Sequence, residues 1–487
     1  MNINVNLSKA GLYLGPFLFV TILLAPLPKG MEPIAWKTTA VTMLMATWWI
    51  TEAIPIAATS LLPIVLFPLL GISSIGETTK PYSNPLILLF LGGFIIAIAM
   101  QTWNLHKRIA LRIILLVGNK PSSIITGFII ASAFLSMWVS NTATALMMLP
   151  IALSIIYLVD KKEEMAKSLK NFEIILVLSI AYACNIGGIA TLIGTPPNAL
   201  FAAFIFENYG IEISFAKWMV IGFPLMLILL PLMYFILTRF VFPLKLKELP
   251  GGKVLIEEQL REIGKITVQE LRVAIVFGIT ACLWIFRPLF ASFLPGLSDA
   301  GIAIAAGICL FILPSGIKPG QKLLNWSDLK SLPWGVLILF GGGLSLAMAI
   351  NTSGLALYIG EAMKTFNNIH ILFLILIVVL IIIFLTEITS NTAITATFLP
   401  ILASMAIGIG QNPMLFALPA TIAASCAFMM PVATPPNAII YSSGKVNIPQ
   451  MAKAGLWLNI SITLILSFTY YFLFANFLGI ELDLISH

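Results

Sequence analysis

Charge is what this 487-residue chain has least of. Asp, Glu, Lys and Arg make up 10% of it, against 59% hydrophobic residues. A soluble domain carries roughly 25% charged residues, and a water-soluble fold of this composition would leave large apolar areas exposed. Histidine and cysteine are also scarce, with three and four residues. Cys184, Cys282, Cys309 and Cys426 all fall in apolar runs, and none belongs to a Cys-x-x-Cys pair. They read as small apolar packing residues, which excludes a disulfide or thiolate-metal framework. His106, His370 and His487 fall at expected interfaces or in the tail, and there is no His-Glu-x-x-His and no paired aspartate. An intramembrane hydrolase using Ser140 or Ser390 as nucleophile would therefore lack its base. No arginine-rich arm is present, so the net charge of +7 does not point to nucleic acid. No basic segment followed by a cleavage site opens the chain, and its first apolar run is expected to stay as a spanning helix.

What is abundant is long apolar runs, and mean hydropathy is +1.02. About 20 such residues span a bilayer as a helix. Runs at 10–28, 34–52, 54–71, 84–102, 172–204, 218–242, 270–293, 297–314, 334–351, 413–442 and 452–478 predict eleven crossings. Two further stretches, 121–158 and 370–408, carry Ser140-Asn141-Thr142 and Ser390-Asn391-Thr392 in their middles. Both read as re-entrant hairpins, with two full crossings apiece as the alternative. With the N-terminus inside, twenty-one of the 27 Lys and Arg fall on the cytoplasmic side, Lys9, Lys161 and Lys162 among them, and six fall outside. That bias follows the positive-inside rule. It sets orientation but does not separate hairpins from crossings. Segment 103–117 reads as an amphipathic helix on the inner surface, 353–366 as its outer counterpart, and the hydrophilic stretch 244–271 as the linker between halves.

The halves repeat one another. Leu89-Phe90-Leu91-Gly92-Gly93 matches Leu339-Phe340-Gly341-Gly342-Gly343 at an offset of 250, as do the two Ser-Asn-Thr motifs, and Pro150 with Pro400. Thr195-Pro196-Pro197-Asn198-Ala199 matches Thr434-Pro435-Pro436-Asn437-Ala438 at 239. Span 84–102 runs inward and span 334–351 outward, so the expected fold is an all-α polytopic membrane protein with an inverted-topology repeat, eleven transmembrane helices and two re-entrant hairpins. Secondary transporters use this plan, with the site at the repeat interface.

Each Ser-Asn-Thr stands where a helix begins, and free N–H groups there favour an anion. The same residues also serve as plain helix caps. Each proline pair removes two N–H donors. Carbonyls around Ile193-Gly194 and Val432-Ala433 are left short of partners, which suits a bare cation. A proline kink is the simpler explanation, though its repetition in both halves weakens it. A dicarboxylate could place one carboxylate at each tip. No Lys or Arg lies in these segments, so a buried dianion needs cations beside it, at least two sodium ions. No His or acid lies in the tips to carry protons instead. Glu52 and Glu387 read as acids at helix ends or paired in the bundle, with Glu387 as an outer cation ligand the second reading.

The doubled Ser-Asn-Thr and Thr-Pro-Pro-Asn motifs resemble the divalent-anion/sodium symporters, specifically the INDY-type dicarboxylate transporters. So do Trp49-Ile50-Thr51-Glu52-Ala53-Ile54, Ser136 through Ala145, Gly187-Gly188-Ile189-Ala190-Thr191 and Ala424 through Met429. The resemblance implies two hairpins, eleven spans, a homodimer formed by a scaffold part, and a transport part that moves as a body. It places substrate at Ser140, Asn141, Thr142, Ser390, Asn391 and Thr392, with Thr434 and Pro435 nearby. It places one sodium at Ser136, Ser140, Asn141 and Gly194, and another at Thr386, Asn391 and Ala433. The corresponding domains are scaffold 1–119, transport 120–242, linker 243–269, scaffold 270–369 and transport 370–487. The expected activity is sodium-coupled symport of C4-type dicarboxylates such as succinate, malate and fumarate by an elevator-like motion in a plasma membrane. The partners are the dicarboxylate, sodium, the lipid bilayer and a second copy of the chain, with no nucleic acid. A sodium-independent dicarboxylate exchanger and a sodium-coupled carrier of citrate or another divalent anion are the alternatives.

Overall fold

A computed structural model describes residues 2–118, 120–158, 166–246, 252–290, 293–366 and 369–474. Expectations for Lys161, Lys162, His487 and the end of the last span fall outside these residues. Among the described residues all regular structure is helical, apart from one isolated antiparallel bridge between Pro314 and Lys322.

The chain opens with α1 (Asn2–Leu24) packed on α2 (Pro33–Thr51). The expected span 54–71 is two pieces, α3 (Ile56–Thr59) and α4 (Leu62–Leu70), with Pro63 in the first turn of α4. Proline there lacks an N–H and fits a first turn, not the interior of a continuous helix. After α5 (Ile75–Thr79), Asn84 caps α6 (Pro85–Thr102) by accepting from Leu86 N at 2.8 Å. The amphipathic α7 (Leu105–Val117) follows. Then come α8 (Pro121–Ser136), α9 (Asn141–Leu158), α10 (Ala166–Ile189), α11 (Pro196–Tyr209) and α12 (Phe215–Phe235).

The stretch between the halves is not a bare linker. It holds an amphipathic helix, α13 (Gly252–Ile263), packed on α7. The second half has α14 (Val268–Phe290), α15 (Asp299–Ile312), α16 (Trp334–Thr352), α17 (Leu355–Met363), α18 (Ile371–Thr386) and α19 (Asn391–Gly408). It ends with α20 (Met414–Ala424), α21 (Pro435–Ser442) and α22 (Ile448–Thr469). The sequence repeat is thus a structural repeat: α8 and α9 recur as α18 and α19 with all four boundaries displaced by 250 residues.

Among the described residues, eight helical segments are long and apolar enough to cross a membrane. Asn391–Gly408 is one of them, so length alone does not distinguish a hairpin arm from a crossing. Each of the two Ser-Asn-Thr stretches is a pair of apolar helices joined by a four-residue turn, 137–140 and 387–390. The expected spans 172–204 and 413–442 are each two helices separated by irregular chain, 190–195 and 425–434.

Helix α7 is packed into the protein through its basic face as well as its apolar one. Arg108 is buried and forms a two-pronged ion pair with buried Glu270 at the start of α14, at 2.9 and 3.0 Å. It also donates to Gly264 O at 2.8 Å. Burying an arginine is costly unless its donors find acceptors, and here Glu270 and the carbonyls of Gly264 and Lys265, in the turn between α13 and α14, take four of them. Cys184 and Cys426 are buried as expected, whereas Cys282 and Cys309 are exposed on the outside of the bundle.

Candidate functional site

Four helices begin at the four polar motifs. They pack crosswise between halves, α9 against α21 and α11 against α19. Each Ser-Asn-Thr helix therefore lies beside the Thr-Pro-Pro-Asn helix of the other repeat. Ser140, Asn141, Thr142, Ser390 and Asn391 are half-buried, Thr392 and Thr434 buried, and Pro435 exposed.

The capping explanation holds unevenly. Ser140 Oγ accepts weakly from Ala143 N at 3.3 Å. Ser390 makes no side-chain cap at all. The second tip therefore keeps a hydroxyl and the first-turn N–H groups uncommitted, as an anion site requires.

In the first half, Ser136 donates to Asn141 Oδ1 across the turn. Gly188 faces them. A methyl group there would sit 3.0 Å from Asn141 Oδ1 and 3.1 Å from both its Nδ2 and the carbonyl oxygen of Gly194. The missing side chain is what lets a hydroxyl, an amide oxygen and a backbone carbonyl draw together. In the second half, Thr386 Oγ1 lies 2.7 Å from Asn391 Oδ1 and 2.8 Å from Ala424 O, and Ala433 is buried in the neighbouring break. Both donor sets consist of neutral, hard oxygens, the chemistry of an alkali or alkaline-earth cation. Among the described residues no three His, Cys, Asp or Glu side chains gather as a metal site.

The breaks are partly satisfied from within. Asn198 donates to the carbonyls of Gly188 at 3.0 Å and Thr191 at 2.7 Å. Asn437 repeats this to Ala427 and Met430, both at 3.1 Å. The Asn of each motif thus replaces donors the prolines removed. The carbonyls of Gly194 and Ala433 accept from no described residue, so they remain free for a cation.

Turn and break are tied differently in the two halves. In the first, Thr191 Oγ1 donates to Met137 O at 2.5 Å. The equivalent of Met137 is Glu387, and its carboxylate accepts from the backbone N–H groups of Phe428, Met429 and Met430 at 2.7–3.0 Å. Asn459 of α22 adds a fifth bond at 2.7 Å. Both oxygens are committed, so Glu387 is the acid paired inside the bundle and not a cation ligand. Asn185 of α10 links the halves by donating to Ala427 O at 3.0 Å and Thr434 Oγ1 at 3.2 Å. Sequence reasoning assigned no role to Gly188, Thr191, Asn185 or Asn459. The available signal was an asparagine in the middle of an apolar helix, at 185 and 459, which is costly in a membrane unless used.

The two tips are also seated differently. Trp138 stacks on Phe215 with centroids 6.0 Å apart and meets Phe277 edge-on at 5.2 Å, while Ile193 lies over Gly93. Their repeat equivalents, Ile388 and Val432, are 62% and 53% exposed. They line a cavity of about 400 Å³ against α1 and α2.

A repeated helical bundle of this kind, with two polar turns and two broken helices facing one another, defines a multi-pass membrane transporter. The chain belongs to the family described as the sodium:sulfate symporter transmembrane region, whose model matches residues 8–480. Its members are transporters and not enzymes. It is similar to two Staphylococcus aureus proteins, from strains USA300 and MRSA252, each named sodium-dependent dicarboxylate transporter SdcS. Both are 47% identical over 483 residues, 97% of this chain and 92% of theirs. Its fold is similar to the solved YdaH transporter of Alcanivorax borkumensis, with TM-score 0.57 and 13% identity over 89% of this chain and 98% of that one. It is also similar to MtrF of Neisseria gonorrhoeae, with TM-score 0.54 and 12% identity over 95% of this chain and 98% of that one. At those identities the likeness is one of fold.

Proposed function

We propose that the chain is a sodium-coupled symporter of C4-type dicarboxylates such as succinate, malate and fumarate. The observation that carries this is the pair of polar tips, each beside a neutral-oxygen donor set and none carrying a basic side chain. Substrate carboxylates meet Ser140-Asn141-Thr142 and Ser390-Asn391-Thr392, with Thr434 and Pro435 alongside. One sodium takes Ser136, Ser140, Asn141 and Gly194, and a second takes Thr386, Asn391 and Ala433. Two cations offset the dianion that this interior has no fixed charge to balance. The name borne by the 47%-identical relatives agrees with this reading.

The fold is read as eleven crossings with re-entrant hairpins at 121–158 and 370–408. It sits in a plasma membrane with the N-terminus in the cytoplasm, as the distribution of Lys and Arg supports. Scaffold parts 1–119 and 270–369 form a homodimer, and parts 120–242 and 370–487 move together across it, with the linker 243–269 between the halves. The unequal seating of the two tips supports an elevator-like motion. The first tip is docked, and the second stands open to a cavity beside the N-terminal turns of α1, so this conformation faces the cytoplasm. In proteoliposomes, labelled succinate should accumulate with an inward sodium gradient and not with choline. Equal uptake in both would refute symport in favour of exchange.

A further inference from the structure

The Thr51-Glu52 end of α2 has no part in the sites above, yet its backbone is unusual. Glu52 has φ 47°, one of only two described non-glycine residues in the left-handed region. A residue held there costs about 1 kcal/mol or more, and such strain collects at functional positions. Two contacts hold it in place. Ser8 Oγ donates to Glu52 O at 3.2 Å. Gly11 lets α1 close onto Thr51, since a methyl group at Gly11 would overlap the Thr51 side chain. The consequence is that Lys9 and Glu52 share one wall of the 400 Å³ cavity, opposite Ile388, Thr389 and Val432. Thr389 adjoins Ser390 and Val432 adjoins Ala433, so the far wall is the back of the proposed substrate tip and of the second cation break. Lys9 and Glu52 are exposed, and neither is ion-paired among the described residues.

We propose that this cavity is a second cargo station on the side of the N-terminus, where Lys9 receives a carboxylate of the dicarboxylate and Glu52 receives a sodium ion. The cargo is one dianion with cations, and the station offers one fixed charge of each sign. Both charges sit on the stationary α1–α2 wall, so they remain at the mouth whatever the moving tip does. A concave mouth with fixed charge raises the local concentration of an oppositely charged solute. Exposed charges act over about 8 Å at physiological salt, which limits the station to capture and release at this one face. This rests on the symport reading.

The test is sided transport of succinate in proteoliposomes of known orientation. Lys9→Gln should raise the half-saturating succinate concentration at the N-terminal face about 3–10-fold, and leave the opposite face unchanged. Lys9→Arg should restore the wild-type value. The difference should vanish in 0.5 M potassium chloride, about a 4 Å screening length. Glu52→Gln should raise the sodium requirement at the same face, with the succinate requirement unchanged. Equilibrium sodium binding to purified Lys9→Gln should match wild type. Wild-type values for Lys9→Gln at the N-terminal face, or an equal change at both faces, would overturn the station while leaving symport intact. A wild-type protein that takes up no succinate with sodium would overturn both.

Discussion

Replacing Glu387 with glutamine separates an anchor from a ligand. The carboxylate takes four hydrogen bonds from the N–H groups of Phe428, Met429 and Met430 and one from Asn459. An amide of the same shape keeps one acceptor oxygen and turns an NH2 group toward N–H groups. Two or more donors then lose their acceptor, each at about 1–3 kcal/mol when buried, so the break at 425–434 should loosen by about 3 kcal/mol. The carbonyls of Ala424 and Ala433 hang on that break, and the second cation site should weaken with it. The assay is thermal unfolding of the purified protein in choline and in sodium, together with sodium-dependent succinate uptake. An anchor lowers the melting temperature of Glu387→Gln even in choline, and raises the sodium concentration for half-maximal uptake about tenfold or more. A direct ligand would behave oppositely, melting like wild type in choline and losing only the stabilisation that sodium adds. That second pattern would refute the assignment.

Gly188→Ala should raise the sodium requirement about tenfold, because the new methyl group forces Asn141 or Gly194 back from the first cation site. Overpacking costs about 1–3 kcal/mol, and sodium titration of uptake alongside a melting curve separates the two effects. Asn141→Ala should weaken sodium and succinate together by about tenfold or more, since one side chain serves both, and normal sodium affinity in that variant would contradict the shared site. His106 lies in α7, outside the membrane-spanning segments, and burial holds its imidazole below the ordinary value, against a partly offsetting hydrogen bond to Met100 O. The unfolded chain therefore takes up the proton first, so stability should be full above the ordinary histidine value of about 6.5 and fall as pH drops through it. The measurement is melting temperature from pH 8 to 5, and His106→Gln should flatten it.

Much of the fold was legible because apolar runs and a residue-for-residue repeat leave little freedom. The boundaries of α8 and α9 reappear in α18 and α19 at the spacing read from Ser140 and Ser390. The helix at 252–263 was not legible, because its apolar residues are few and the stretch has the polarity of a linker. The depth of Arg108 was hidden as well, since a lysine- and arginine-rich segment reads as an interfacial surface until its partner, Glu270, more than 160 residues away, is known. At the site, the oxygen-bearing motifs stood out as polar residues in apolar surroundings. What they lean on did not, because Gly188 works by lacking a side chain and Thr191 by touching a carbonyl of another helix. Glu387 carried a visible charge but an ambiguous role, and only the three N–H groups arriving from 41 to 43 residues downstream resolve it.

The unequal tips bear on how such a carrier could move at all. In the described conformation the first repeat buries Trp138 and half-buries Ile193, and the second leaves Ile388 and Val432 in the cavity. Burying one large apolar side chain is worth about 1.5–3 kcal/mol, so undocking the first tip alone would be strongly opposed. On the proposed motion, the repeat supplies the offset. When Trp138 and Ile193 leave Phe277 and Gly93, Ile388 and Val432 reach the matching surface on α16 around Gly343, the equivalent of Gly93. Loss and gain then involve side chains of similar kind and nearly cancel, which leaves the empty carrier with two end states of comparable free energy. A balance that close can be tipped by a few kcal/mol. The charge that the cargo neutralises at the tips is of that order, so a dianion without its sodium ions, or sodium without its dianion, would leave an uncompensated charge in the moving body and stall it.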